Sequence, residues 1–169
     1  PSAILSGLVG SEMCIRDSFS LTYGAIVTQL LKDYEAADAT SAQLEKMGYN
    51  IGIRLVDEFL AKAQINSCQS FAETADVIAK IGFKMFLGVT AEVVGASTNE
   101  FTRQFSDHPL ADFVELPEQY STLAYSNMLC GVLRGALEMV QMRVSCQIAR
   151  DVLKGDDVTE LRVELLASR

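Results

Sequence analysis

The spacing of apolar residues changes from helical to alternating about half-way along this chain of 169 residues. Up to Gly88, apolar residues recur every three or four positions, which is the spacing of one face of an α-helix. From Glu100 onward, several segments alternate apolar and polar residues, which is the period of a half-buried β-strand. Because helices followed by antiparallel strands pack as two layers, the sequence predicts an α+β two-layer domain, with four main helices packed on a small antiparallel β-sheet.

The boundaries of the elements follow from these periods and from capping residues. The predicted helices are residues 21–34, a second helix from a cap at Thr40 or Ser41 to about residue 59, then 71–88 and 123–141. Strands are predicted at residues 100–107, 113–116, 144–152 and 158–166, and residues 89–99 are predicted to form a loop. The last two strands form a hairpin, because residues 154–157, Lys-Gly-Asp-Asp, have the composition of a turn.

Two pairs of glycines, each with members four residues apart, lie inside predicted helices. Gly48 and Gly52 fall in the second helix, and Gly131 and Gly135 fall in the fourth. A glycine inside a helix costs about 1 kcal/mol relative to alanine, so these pairs predict close approach of another backbone.

The start of the chain does not fit the domain. Residues 1–18 do not lead naturally into the first predicted helix, and we predict that they are a non-native leader preceding a domain at residues 19–169. Cys14 falls in this leader and is left out of the functional argument.

The most strongly patterned helix is the third. Ser70 followed by Glu73 is a capping box, which predicts a helix that begins at Phe71, and Gly88 predicts its end. One face of this helix carries apolar and small residues, with Val77 and Phe86 beside them: Thr74, Ile78, Ile81, Gly82 and Met85. Cys68 lies three residues before the first helical residue, near the partly positive end of the helix, which favours a thiolate.

Composition excludes several kinds of function. The net charge is −8 and Lys and Arg form no cluster, so nucleic acid is not an expected partner. The cysteines have neither the CxxC spacing of a zinc site nor the density of a secreted disulfide scaffold, which predicts a reducing, cytosolic setting. Cys130 and Cys146 are predicted core residues. His108 is the only histidine, with no catalytic signature around it, and it is predicted to be a solvated loop residue. The chain is not predicted to be an enzyme or to bind a metal.

Six segments distributed along the chain resemble the small subunits of the TRAPP vesicle-tethering complex. The resemblance is closest to an acylated, central member of that family and covers almost everything from Leu21 to Arg162. It rests on these segments: LTYGAIVTQLLKDYE, KMGYNIGIRLVDEFLAK, ETADVIAKIGFKMFLG, DFVELPE, YSNMLCGVLRGALEMVQM and KGDDVTELR.

The resemblance implies a structural subunit that forms a homodimer or heterodimer and packs with other TRAPP small subunits. The assembled complex would activate a Rab GTPase by nucleotide exchange, during transport from the endoplasmic reticulum to and through the Golgi. The implied location is cytoplasmic, peripheral at Golgi and endoplasmic reticulum membranes.

The resemblance also implies a modification site and no other cofactor. In the acylated member, a cysteine before the third helix carries a palmitoyl chain that enters an internal tunnel. Cys68 is the matching residue, and Gly82, with Ile78 and Met85, would line the tunnel. Ser67 is neutral where close relatives often carry a basic residue, so less local help for acylation of Cys68 is expected. The chain ends at Arg169 where relatives carry a longer tail, so a weaker contribution to exchange is expected.

Two other functions remain open at this stage. A small hydrophobic-ligand-binding domain would use the same interior for a reversible, non-covalent ligand. Catalysis by Cys68 is the weaker alternative, because no histidine is placed by the sequence to activate it.

Overall fold

A computed structural model describes residues 2–63, 70–97, 99–105 and 108–168, without the side chains of 2–16, 63, 79, 96, 167 and 168. The helices are α1 (Ser2–Tyr34), α2 (Ala37–Ala63), α3 (Phe71–Val77), α4 (Phe83–Leu87) and α5 (Asn127–Met139). A π-helical turn, Ile78–Gly82, joins α3 to α4 without a break, and the three together are called the α3–α4 helix. The strands are β1 (Glu92–Ala96), β2 (Glu100–Phe105), β3 (Met142–Arg150) and β4 (Thr159–Ser168).

The four strands form one antiparallel sheet in the order β1-β2-β4-β3. Its buried face carries the alternating apolar residues, including Phe101 and Phe105 of β2 and Leu161 and Val163 of β4. The helices cover this face: Phe71 of α3 contacts Phe101, with ring centroids 4.9 Å apart. The predicted α+β two-layer fold is confirmed.

The closing hairpin forms where the alternation predicted it. β3 and β4 pair with Cys146 opposite Val163, and the connection contains Gly155 with a left-handed φ of 94°. Asp156 Oδ2 accepts a hydrogen bond from the backbone N–H of Asp151 at 2.8 Å. Asp156 therefore serves the turn itself, as predicted.

The two glycine pairs face each other where α2 crosses α5. A Cβ atom on Gly48 would lie 2.0 Å from the carbonyl oxygen of Met128, and one on Gly131 would lie 2.0 Å from that of Glu45. Gly52 and Gly135 make equally close approaches one turn further along. The prediction of close backbone packing is confirmed. The two glycine pairs, one on α2 and one on α5, form a single contact between these helices.

The third predicted helix begins and ends as expected. Ser70 Oγ accepts a hydrogen bond from the N–H of Glu73 at 3.1 Å, and Gly88 is left-handed with φ 72°. The π-helical turn was not predicted, and it changes which residues are buried. It adds one residue to a turn, so Phe83 is buried after Phe71 and Ala75, while Gly82 and Met85 are only half-buried.

Several predicted boundaries are wrong. The backbone of α1 is helical from Ser2, not from Leu21, although whether residues 1–18 are a non-native leader stays a prediction. α2 begins at Ala37, so Thr40 and Ser41 lie inside the helix and do not cap it. Ser41 Oγ instead accepts the N–H of Ala124 at 3.0 Å, which ties α2 to the segment before α5.

Three further corrections concern the second half of the chain. Residues 92–96 of the predicted loop form β1, because they pair with β2 through a bulge between Val93 and Gly95. Residues 113–116, predicted as a strand, contain no strand; the N–H of Val114 instead donates to the carbonyl of Ala111 in a turn. α5 begins at Asn127, because hydrogen-bonded turns occupy the residues before it.

The glycine contact makes a prediction for stability. Gly48→Ala should lower the free energy of unfolding by about 1–3 kcal/mol or more, because the new Cβ must displace the backbone of α5. This loss should occur although alanine is the better helix former. Urea denaturation of the variant measures the difference.

Gly95→Ala is the matched control, because no atom lies within 4 Å of the Cβ that it would add. Its free energy of unfolding should stay within about 0.5 kcal/mol of the parent. Equal stabilities of the two variants would contradict the close contact of α2 with α5.

Candidate functional site

An apolar cavity of about 360 Å³ lies among α1, α2, the α3–α4 helix and α5. Its volume falls in the range of roughly 300–1,000 Å³ that is usual for small-molecule sites. The lining residues are all apolar or glycine: Phe19, Ile51, Leu55, Val56, Phe59, Ile78, Gly82, Phe83, Phe86, Leu87, Leu110, Met128, Leu129, Val132, Leu133 and Ala136. A hydrocarbon is the chemical class that such a wall can bind without leaving a polar group unpaired.

The α3–α4 helix supplies one wall of the cavity, and the π-helical turn is part of that wall. Gly82 lines the cavity, with Phe59 of α2 3.7 Å from the position of a Cβ on the glycine. Of the three predicted lining residues, Ile78 and Gly82 line the cavity, whereas Met85 is half-buried and does not. The prediction that these residues line an acyl tunnel remains a prediction.

The cavity reaches the protein surface. Three of its lining residues, Phe19, Ile51 and Phe86, remain 49%, 39% and 37% exposed. An apolar molecule at this rim can therefore extend from the surface to the interior. Cys68, the predicted acylation residue, lies outside the described residues; Ser70 and Phe71 are the nearest described residues that follow it.

Two other cysteines occupy the interior, as predicted. Cys130 of α5 is fully buried and Cys146 of β3 is half-buried. A hydrogen bond with Cys130, together with burial, raises the pKa of the Cys146 thiol well above its usual range. Because the thiolate is the nucleophile, Cys146 is a poor candidate for nucleophilic chemistry.

His108 is buried, so the prediction of a solvated loop histidine is wrong. Only 2% of the residue is exposed, and its Nε2 lies 2.5 Å from Ser126 Oγ. Its ring also meets the Phe105 ring edge-on at 5.1 Å. A serine beside a histidine can act as a nucleophile with its base, but Ser126 is fully buried and does not line the cavity. The pair therefore holds the segment before α5 against β2.

Arg103 is a buried charge that the sequence reasoning missed. It lies on β2 between Phe101 and Phe105 in the alternation, and it is 0% exposed. Its position in phase with two buried phenylalanines was the signal that could have identified it. Within the part of the chain that the structure describes, none of its three guanidinium nitrogens has a hydrogen-bond partner.

The described residues contain neither a cluster suited to a metal ion nor a membrane-spanning helix. No group of three or more His, Cys, Asp or Glu side chains there could hold a metal ion. None of the helices in that part of the chain is long and apolar enough to cross a membrane.

Comparison with known proteins identifies the family. Residues 19–164 match the family model described as transport protein particle (TRAPP) component. The chain belongs to this family. It is 59% identical over 150 residues to trafficking protein particle complex subunit 3 of Dictyostelium discoideum, covering 87% of this chain and 81% of the relative. It is 45% identical over 159 residues to trafficking protein particle complex subunit BET3 of Saccharomyces cerevisiae, covering 92% and 82%.

A solved structure shows the same fold with a ligand. It is a trafficking protein particle complex subunit 3 from Naegleria fowleri, covalently bound to palmitic acid. The two structures align with a TM-score of 0.89 and 49% sequence identity, covering 92% of this chain and 98% of that chain. The relative thus shows that this fold accommodates a covalently bound acyl group.

The cavity makes a prediction for two variants at Gly82. Gly82→Leu should fold but lose binding of the neutral fluorescent probe 1-aminoanthracene, because the larger side chain fills space beside Phe59. Gly82→Ala should keep binding, because its Cβ makes only ordinary contacts at 3.7 Å and 3.9 Å. Probe titration measures both affinities, and thermal unfolding checks that each variant is folded. Full probe binding by a folded Gly82→Leu variant would show that the probe lies elsewhere.

Proposed function

We propose that this protein is a core structural subunit of a transport protein particle complex, and that a palmitoyl chain on Cys68 occupies its apolar cavity. The observation that carries the proposal is the wholly apolar cavity beside the α3–α4 helix. The palmitate-bound relative supports it, because the two chains share 49% identity and one fold. The position of Cys68 supports it too, three residues before the first residue of that helix.

Burial of such a chain is energetically sufficient. Each methylene removed from water contributes about 0.8 kcal/mol, so a long acyl chain contributes on the order of 10 kcal/mol as an upper bound. An acyl chain inside the cavity acts as part of the core and is not available to anchor the protein in a bilayer. Peripheral contact with Golgi and endoplasmic reticulum membranes would then come from the assembled complex.

The proposed partners are other subunits of the same complex, in a homodimer or a heterodimer. Large apolar side chains remain exposed on the helical layer: Leu21 and Tyr34 of α1 are 63% and 46% exposed. Aromatic residues such as Tyr34 are enriched where one protein meets another, and larger exposed apolar patches mark such surfaces. Activation of a Rab GTPase by nucleotide exchange is proposed as a property of the assembly, to which this chain contributes structure and not catalysis.

Intact-mass analysis before and after neutral hydroxylamine tests the acylation. Protein expressed in a eukaryotic host should carry an adduct of palmitoyl mass that hydroxylamine removes, because hydroxylamine cleaves thioesters. Cys68→Ser should lack the adduct, and Cys146→Ser, the matched control, should retain it.

Other results would revise the proposal in defined ways. An adduct that is still present in Cys68→Ser would show that the acyl chain is attached to another residue. An extractable hydrophobic molecule without any adduct would favour the reversible ligand-binding function, which the apolar cavity also supports.

Sedimentation velocity of the purified chain tests the oligomeric interface. We expect a dimer at micromolar concentration, and Leu21→Asp should shift the population toward monomer, because a charge would replace exposed apolar surface. A strictly monomeric parent protein would contradict self-association, and partner identification would then rest on co-purification.

A further inference from the structure

The α3–α4 helix is attached to the rest of the molecule by few buried side chains. Among its described side chains four are buried, and the others are half-buried or exposed; the buried ones are Phe71, Thr74, Ala75 and Phe83. Its middle is the π-helical turn, a form that is found frequently at functional sites. A segment with few buried contacts opens locally at a lower free energy than the whole protein unfolds. The helix can therefore move while the remainder of the molecule stays folded.

This helix closes the cavity against α2. Phe86 of the helix contacts Phe59 of α2, with ring centroids 6.5 Å apart, and Gly82 lies beside the same ring. Movement of the helix away from α2 would separate these contacts and widen the opening at the cavity rim. It would also remove five residues from the cavity wall at once: Ile78, Gly82, Phe83, Phe86 and Leu87.

Arg103 lies beneath the middle of this helix. It occupies the buried face of β2 between Phe101 and Phe105. Phe101 contacts Phe71 near the start of the helix, with ring centroids 4.9 Å apart. Phe105 contacts Phe83 beyond the π-helical turn, with ring centroids 5.6 Å apart. The helix therefore crosses β2 at the position of Arg103.

The closed position of the helix leaves the charge of Arg103 without a hydrogen bond. The residue is 0% exposed, and its Nε, Nη1 and Nη2 donate to no residue that the structure describes. Burial lowers its pKa to about 10, so the guanidinium is still charged at neutral pH. Asp76 of the helix attracts it, but that carboxylate already pairs with Lys80 at 2.7 Å. A charge buried in this way is strongly unfavourable, and it regains hydration when the helix moves away.

We infer that the α3–α4 helix is a gate to the cavity, and that the unpaired charge of Arg103 favours the open position of this gate. A hydrocarbon enters while the helix is lifted, and closure then removes the hydrocarbon and the guanidinium from water together. Arg103 needs no contact with the ligand, because it acts only on the balance between the open and closed positions. Entry by this route does not depend on acylation of Cys68 and serves a reversible ligand equally.

Amide hydrogen exchange of the full chain carrying Cys68→Ser tests the opening, because this parent has no chain attached at that residue. Amides of the α3–α4 helix should exchange about tenfold faster or more than the most protected amides of α2 and α5, since the gate opens without global unfolding. Adding Arg103→Met should slow exchange of the helix amides by about tenfold or more, because the closed position no longer buries an unpaired charge.

Arg162→Met is the matched control for exchange. Arg162 lies on the adjacent strand β4, is exposed, and pairs with Glu100 at 2.5 Å on the other face of the sheet. It should leave exchange of the helix amides unchanged. Helix amides that exchange as slowly in the parent as those of α2 and α5 would overturn the gate, and this comparison requires no variant at Arg103.

Stopped-flow fluorescence with 1-aminoanthracene tests entry into the cavity. Association and dissociation both pass through the open position, whereas the free and the bound protein are mainly closed. Arg103→Met should therefore lower the association and dissociation rate constants by the same factor, about tenfold or more. The dissociation constant should stay within about twofold of the parent value. Arg162→Met should change neither rate constant.

The outcomes separate the gate from the proposed function. A changed dissociation constant with an unchanged association rate would overturn the gate, because Arg103 would then act on the bound state. Unchanged exchange and unchanged rates in a folded Arg103→Met variant would overturn the role of Arg103. If protein with Cys68 intact carries no acyl adduct but shows the expected exchange and rates, acylation is overturned and the gate is supported.

Discussion

The contact between α2 and α5 is the constraint on which the helical layer depends. Four glycines bring the two backbones so close that a Cβ on any of them would lie 2.0–2.3 Å from a carbonyl oxygen of the other helix. Side chains around the contact reinforce it: Arg134 of α5 pairs with Glu45 of α2 and lies over the Tyr49 ring at 5.2 Å. Because α2 and α5 also supply most of the cavity wall, their close approach at the glycines determines the shape of the space beside them.

The π-helical turn has the complementary effect on the α3–α4 helix. One additional residue rotates the end of the helix, so Phe83 meets Phe105 of the sheet while Gly82 stays toward Phe59. Without the additional residue, every side chain after the turn would lie about 100° away from its present direction around the helix axis. The cavity therefore results from two local departures from ordinary helix packing, an unusually close crossing on one side and a shifted helical phase on the other.

Local signals in the sequence predicted the fold class, the capped third helix, the closing hairpin and the glycine contact. These features are specified by neighbours in the chain: Ser70 with Glu73, a glycine at a helix end, and alternation around Gly155. The incorrect predictions concern features that depend on tertiary contacts. β1 forms because β2 is beside it, and His108 is buried because Ser126 meets it from a distant segment. The π-helical turn has no local signature, and Arg103 breaks the rule that charges face water.

The apolar cavity also gives the molecule a volumetric property. The space of about 360 Å³ is lined by apolar residues and opens at its rim, and any part of it that water does not fill adds to the negative volume change of unfolding. Hydrostatic pressure therefore favours unfolding of the empty protein more than of the filled one. A hydrocarbon chain in the cavity fills this empty volume. The filled and the empty protein therefore differ in compressibility, although their amino-acid sequence is the same.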